Sequence, residues 1–177
     1  GVQGRSNLEA LSCLFKLRKA KVFDARPETA RRFAAEMGKT LGLEIEAVRT
    51  PAEAVKGLDL VVTSGPILKK PSPIIEAGWL APGAFASPVD FDSYWKPAAL
   101  RQADKLATDD LKQMEYYRAE GYFRHTPRPY ADLGQIVSGK KPGRQSPSER
   151  TFSLNLGLAS EDMATAVLVY KEALRRR

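Results

Sequence analysis

The sequence has a single cysteine and a single histidine. Cys13 has no partner for an internal disulfide, which points to a reducing compartment and, by default, to the cytoplasm. His125 stands in a proline-rich stretch with no second histidine and no cysteine at ligand spacing, so no metal site is expected. No apolar run approaches the roughly 18 residues that cross a bilayer, and no basic-then-apolar leader opens the chain. Neither a membrane span nor a signal peptide is therefore expected. Acidic charge is also short: 28 Lys and Arg stand against 21 Asp and Glu, a net charge of +7. The basic excess sits in short runs such as "KLRKAK", "KK" and the terminal "RRR", without interleaved aromatics or a nucleic-acid motif. It reads as a solvated surface, and no nucleic-acid partner is expected.

What is present is enough apolar material for one buried domain: 43% of 177 residues are hydrophobic. Helical and strand-like segments alternate. In "SNLEALSCLFKL" the residues Leu8, Leu11, Leu14 and Phe15 fall at helical spacing, and Ser6 with Glu9 fits a capping box, so a helix is expected from near Ser6. "KVFDA" is a short strand ending at Asp24. "RPETARRFAAEMGKTLG" is a helix started by Pro27 and stopped by Gly42. "EIEAV" is a strand, "TPAEAVKG" a helix of one or two turns, and "LDLVVTS" an apolar strand of the buried parallel kind. Further strands are expected at "GAFASPVDF" and, more weakly, at "KLATDD". Helices are expected at "PAALRQA", at "LKQMEYYRAEG" with Gly121 as its stop, and in a long C-terminal run with a basic last turn. Residues 122–151 read as loop around one short helix at "ADLGQIVSG". The alternation predicts an α/β fold, a Rossmann-like doubly wound parallel sheet.

In such sheets ligands bind beyond the carboxyl ends of the strands. Gly1 and Gly4 fit the last two glycines of a G-x-G-x-x-G turn, the first approaching a pyrophosphate and the second letting the helix pack on its strand. That turn should follow a strand, and none precedes Gly1, so the sheet is expected to lack its first strand here. Asp24, twenty residues after Gly4, is placed to accept from both ribose hydroxyls, or else only to end its strand and cap the next helix. A carboxylate there repels a 2′-phosphate and favours NAD, while the nearby Arg26 keeps NADP open. Thr63 and Ser64 end the next apolar strand, either on the nicotinamide side of the cofactor or simply as turn chemistry. Asp90 and Asp92 flank Phe91 at a later strand end, where period two points both the same way; one carboxylate can exchange a proton with an amine, or one or both simply cap the helix or turn that follows. Asp90 is the preferred candidate. The aromatics Tyr116, Tyr117, Tyr122, Phe123 and Tyr130 are expected to pack a long loop.

The stretches "GVQGRSNLEAL", "VFDARPETARRFAAE", "DLVVTS", "ADLGQIVSGKKPGR" and "TFSLNLGLASEDMATAVLVYKEA" resemble the ornithine cyclodeaminase and mu-crystallin family. Gln3 after the glycine and the run from Gly157 to Asp162 are the most specific parts. The resemblance implies a homodimeric, two-domain oxidoreductase that uses NAD(P). Its members transfer hydride at the carbon-nitrogen bond of an amino acid or cyclic imine. Gln3 would join Gly1 and Gly4 at the cofactor, and the family's catalytic aspartate carries over to Asp90. A crystallin-like protein that binds nucleotide without turnover is the alternative. This chain resembles the cofactor half, with residues 1–155 as the nucleotide-binding unit and 156–177 as a helix packing toward a dimerisation and substrate half. The missing strand would be central, so its loss is expected to leave no stable core. Two departures bear on the substrate: "PVDFDSYWK" replaces a glycine-bearing loop, and Leu154 and Asn155 stand where the family often has Lys and Ser.

Overall fold

A computed structural model describes residues 1–176. The elements run α1 (Val2–Leu14), β1 (Lys19–Val22), α2 (Pro27–Leu41), β2 (Glu44–Ala47), β3 (Leu60–Thr63), β4 (Phe85–Pro88), α3 (Pro97–Leu100), β5 (Lys105–Thr108), α4 (Leu111–Ala119), β6 (Ala131–Asp132), α5 (Leu133–Val137), β7 (Thr151–Leu154) and α6 (Ala159–Arg175). Local chemistry fixes several of these ends. Pro27 occupies the first turn of α2, and Gly42 closes it in the left-handed region at φ 60°, its N–H donating to the Gly38 carbonyl. Asp110 caps α4 by accepting from the Gln113 N–H. Asp132 and Gln135 form a reciprocal capping box on α5.

Every strand pair is parallel. β1 pairs with β2 in a two-stranded sheet, and a five-stranded sheet has the order β3-β4-β7-β5-β6. The expected α/β parallel architecture is thus present. Among the described residues no strand lies between β1 and β3, and a cleft of about 1380 Å³ opens there, lined by both strands and by α1. The parallel strands thus fall into two sheets with the cleft between β1 and β3.

Several expectations differ from the structure. The first helix begins at Val2, not near Ser6. Ser6 lies inside it and donates back to the Val2 carbonyl, so Ser6 and Glu9 form no capping box. "TPAEAVKG" is a set of turns, with the Val55 and Lys56 N–H groups both donating to the Ala52 carbonyl. Bracketed by Pro51 and by Gly57 at φ 71°, it is too short to offset helix nucleation. The third difference is β7. No strand is expected at 151–154, yet β7 there is the middle strand of the larger sheet.

The core is centred on that sheet. Trp95, Leu100, Leu106, Met114, Phe123, Phe152 and Leu154 are all buried in one cluster, and the Trp95 and Phe152 rings meet edge to face at 5.1 Å. This contiguous cluster lies on the five-stranded side. The cleft lies at the outer edge of β3, not within the five paired strands. The β1-α2-β2 layer is thinner, burying Ala30, Phe33, Met37 and Val48. Neither α1 nor α6 buries any residue. Among the described residues no helix is long and apolar enough to cross a membrane.

Candidate functional site

Strand β4 ends at Pro88, and two residues later Asp90 has no exposed surface. Its carboxylate is held from β3 and the residues that follow it. The Thr63 hydroxyl donates to Oδ1 at 2.6 Å and the Gly65 N–H to Oδ2 at 2.8 Å. Thr63 is oriented in turn by the Trp95 indole N–H, which donates to its Oγ1 at 3.0 Å. Among the described residues no cation forms an ion pair with Asp90. Burial pushes the Asp90 carboxyl above its ordinary value, and the hydrogen bonds from Thr63 and Gly65 offset this only in part.

Asp92 does not share this environment. The strand has already ended, and Phe91 sits at φ 61°, so the period-two argument fails and the two carboxylates diverge. Asp92 is buried with its Oδ2 accepting from the Thr126 hydroxyl at 2.8 Å, while its Oδ1 is buried without a partner. Phe91 packs against Tyr117, Tyr122 and Phe123, the aromatic cluster expected to stiffen the long loop. His125 is exposed on that loop.

The cleft that opens between β1 and β3 is lined by Gly1, Gly4, Asp24, Thr63, Ser64 and Asp90 together. A Cβ on Gly4 would lie 3.1 Å from the Ser64 hydroxyl and 3.6 Å from the Phe33 ring, so α1 approaches the end of β3 closely at this point. Helix α1 starts at Gly1 with no side-chain cap and no acid in its first turn. Its first N–H groups and the helix dipole suit an anion. Asp24 accepts from the Arg26 N–H through Oδ1 at 2.8 Å, which leaves its second oxygen for a diol. Gln3, Arg26 and Asp92 do not line the cleft. Gln3 and Arg26 are exposed, and the Gln3 carbonyl accepts from the Asn7 side chain.

Two residues, one on this cleft and one away from it, were not singled out from the sequence. Tyr94 lines the same cleft, and its hydroxyl donates to the Pro66 carbonyl at 3.1 Å. Asp109, at the end of β5, accepts from the N–H groups of Leu156 and Gly157 at 2.7 and 2.6 Å, pinning the connection from β7 to α6. The signal for Asp109 was the pair "DD" closing a strand. Tyr94 had none, because its partner Pro66 is 28 residues away.

The sequence profile of the ornithine cyclodeaminase/mu-crystallin family matches residues 1–177. Alanine dehydrogenase of Archaeoglobus fulgidus is 29% identical over 185 residues, covering 99% of this chain and 55% of that protein. Ketimine reductase mu-crystallin of Mus musculus is 26% identical over 174 residues, covering 96% and 52% respectively. Among solved structures, the Δ1-pyrroline-2-carboxylate reductase of Thermococcus litoralis, in complex with NADH and L-proline, superposes with a TM-score of 0.81 at 30% identity. That superposition covers 99% of this chain and 56% of the other. An archaeal alanine dehydrogenase dimer with bound NAD gives a TM-score of 0.81 at 25% identity, over 99% and 56%. The chain spans about half the length of the relatives it matches.

Proposed function

This chain belongs to the ornithine cyclodeaminase/mu-crystallin family, and from that premise we propose that it is the nucleotide-binding part of an NAD(P)-dependent oxidoreductase acting at the carbon-nitrogen bond of an amino acid or cyclic imine. The observation that carries the reading is a buried, cation-free carboxyl, Asp90, on the same cleft as an uncapped, glycine-bearing helix N-terminus. The relatives include an alanine dehydrogenase and a reductase crystallised with NADH and L-proline, which supports the substrate class.

The residues fit a dinucleotide. Gly1 and Gly4 would face the phosphates from the start of α1, with Gln3 beside them as the family resemblance implies. Asp24 would accept from the ribose hydroxyls, with Arg26 at the rim. Thr63 and Ser64 would stand on the nicotinamide side. A bound nicotinamide supplies hydride acceptance or donation. Asp90 then handles the proton: as the carbon-nitrogen single bond becomes an imine, the carboxylate accepts the proton that leaves nitrogen, and it returns that proton in the reverse direction. Its raised pKa brings the acid closer to neutral pH, where such exchange is most effective. The Thr63 hydroxyl, held by Trp95, keeps the carboxylate oriented.

In this reading residues 1–155 form the nucleotide-binding unit. The cleft between β1 and β3 takes a further parallel strand, and 156–177, of which Arg177 lies outside the described residues, pack through α6 toward the dimerisation and substrate half. The working protein is a homodimer without a nucleic-acid partner. The exposed, unpaired Cys13 agrees with a reducing, cytoplasmic location.

Replacing Asp90 with Asn in the full-length protein is expected to preserve nucleotide affinity and to lower turnover of amino-acid or imine substrates by roughly a hundredfold or more. Steady-state kinetics at the reduced-nicotinamide absorbance, alongside nucleotide titration, checks this. A second reading, a crystallin-like nucleotide binder without turnover, is favoured by one observation: both Asp90 oxygens are already occupied by protein donors. Nucleotide binding with no turnover of any amino acid or imine would select it.

A further inference from the structure

Gly65 has no backbone reason to be glycine, since its φ lies outside the left-handed region. Its reason is a neighbour. A Cβ built on Gly65 would fall 2.5 Å from Tyr94 Cε2, 2.6 Å from its hydroxyl oxygen and 2.7 Å from Cζ, against an optimal carbon-carbon separation of about 3.5–4.0 Å. The phenol occupies the space that any other residue at 65 would need. The same ring reaches the next residue, where its hydroxyl donates to the Pro66 carbonyl at 3.1 Å.

The short segment so clasped is the one that donates to Asp90 through the Gly65 N–H. Gly65 itself is exposed, yet Asp90 has no exposed surface. On this side the Gly65 N–H holds the carboxylate, and Tyr94 leans on the Gly65 and Pro66 backbone. Tyr94 is also within electrostatic reach of the carboxylate: burial first, and the charge of Asp90 second, push its phenol above the ordinary value, so it stays a neutral donor. The other groups facing Asp90 are Thr63, from β3, and Ser93, whose hydroxyl donates to the Asp90 carbonyl at 2.6 Å.

We infer that Tyr94 is a positioning residue for Asp90, clamping the Gly65 and Pro66 backbone so that the Gly65 N–H stays on the carboxylate and water is kept off it. The weight of this clamp for catalysis rests on the proton-exchanging role given to Asp90. The clamp itself is tested apart from that role.

Amide hydrogen exchange in the full-length protein reads the bond directly. Tyr94→Ala is expected to quicken exchange at Gly65 about tenfold or more, while the strand amides of Leu106 and Phe152 stay within about a factor of two. A merely structural tyrosine would quicken all three together or none, and either result overturns the proposal. Packing is tested by rescue. Gly65→Ala should lower the melting temperature, adding Tyr94→Ala should restore it, and adding Tyr94→Phe should not, because Cε2 remains. A Gly65→Ala protein as stable as the parent overturns the clamp. Should Tyr94→Ala fail to fold, Tyr94→Phe loses only the bond to Pro66 and must still raise exchange at Gly65 severalfold; unchanged exchange there also overturns the proposal. Undiminished turnover in Asp90→Asn with the Gly65 response intact would remove the catalytic reading and leave the clamp standing.

Discussion

Among the described residues Asp90 is an acid buried without a cation, and that has a consequence for stability as well as for chemistry. Its folded-state pKa is raised above the ordinary value of 3.8, so the folded protein holds the proton more tightly than the unfolded chain does. The contribution is fully present below the ordinary value and is lost as pH rises through the raised one. Thermal denaturation across that window should show the parent losing stability with rising pH, and Asp90→Asn should lack this component. Asp24 yields a second expectation at this scale. Its carboxylate repels a 2′-phosphate, so NAD should bind the full-length protein more tightly than NADP; titration with both nucleotides checks this, and tighter NADP would transfer the weight to Arg26. That Gly1, Gly4, Asp24 and Asp90 come to one cleft was legible because each lies near the end or the beginning of its own short element. The divergence of Asp92 was not, because it follows from Phe91 taking a positive φ, a conformation a phenylalanine adopts only when tertiary packing imposes it.

Elements with their own end signals were legible for the same reason. Pro27 and Gly42 bracket α2 to the residue, and a short helix is expected at "ADLGQIVSG", where the structure adds the Asp132 and Gln135 box at the start of α5. Asp132→Ala should cost about 1 kcal/mol, since it removes the acceptor for the Gln135 N–H in a five-residue helix with little else to hold it. Chemical denaturation measures the loss, and no change would mean the box contributes nothing. The first helix misled because Ser6 and Glu9 carry the right types in the wrong place. Its N-cap, Gly1, has no side chain to announce it. β7 is four residues long and follows a proline-rich loop, and its identity as a strand comes from β4 and β5 on either side. No periodicity in "TFSL" can report neighbours that are tens of residues away.

At the scale of the whole molecule the division falls between β1 and β3. The five-stranded side has the large contiguous cluster around Trp95 and Phe152, while the β1-α2-β2 side buries four apolar residues and faces the cleft. Residues 1–177 expressed alone should therefore not melt as a single unit: amides of β1 and β2 should exchange well ahead of those of β4, β5 and β7. One sharp transition with uniform protection would contradict this. The order of strands was the least legible property, because it is decided by pairings between distant segments and not by any local pattern.

The middle position of β7 also governs how the polypeptide can assemble. β4 and β5 do not touch as strands; each is hydrogen-bonded to β7 between them. During synthesis, then, β3 and β4 can pair early, and β5 and β6 can pair later. The two halves have no common ladder until residues 151–154 have emerged and threaded between them. The sheet closes last at its centre, which makes folding dependent on long-range encounter and leaves two half-sheets with open inner edges in the interval.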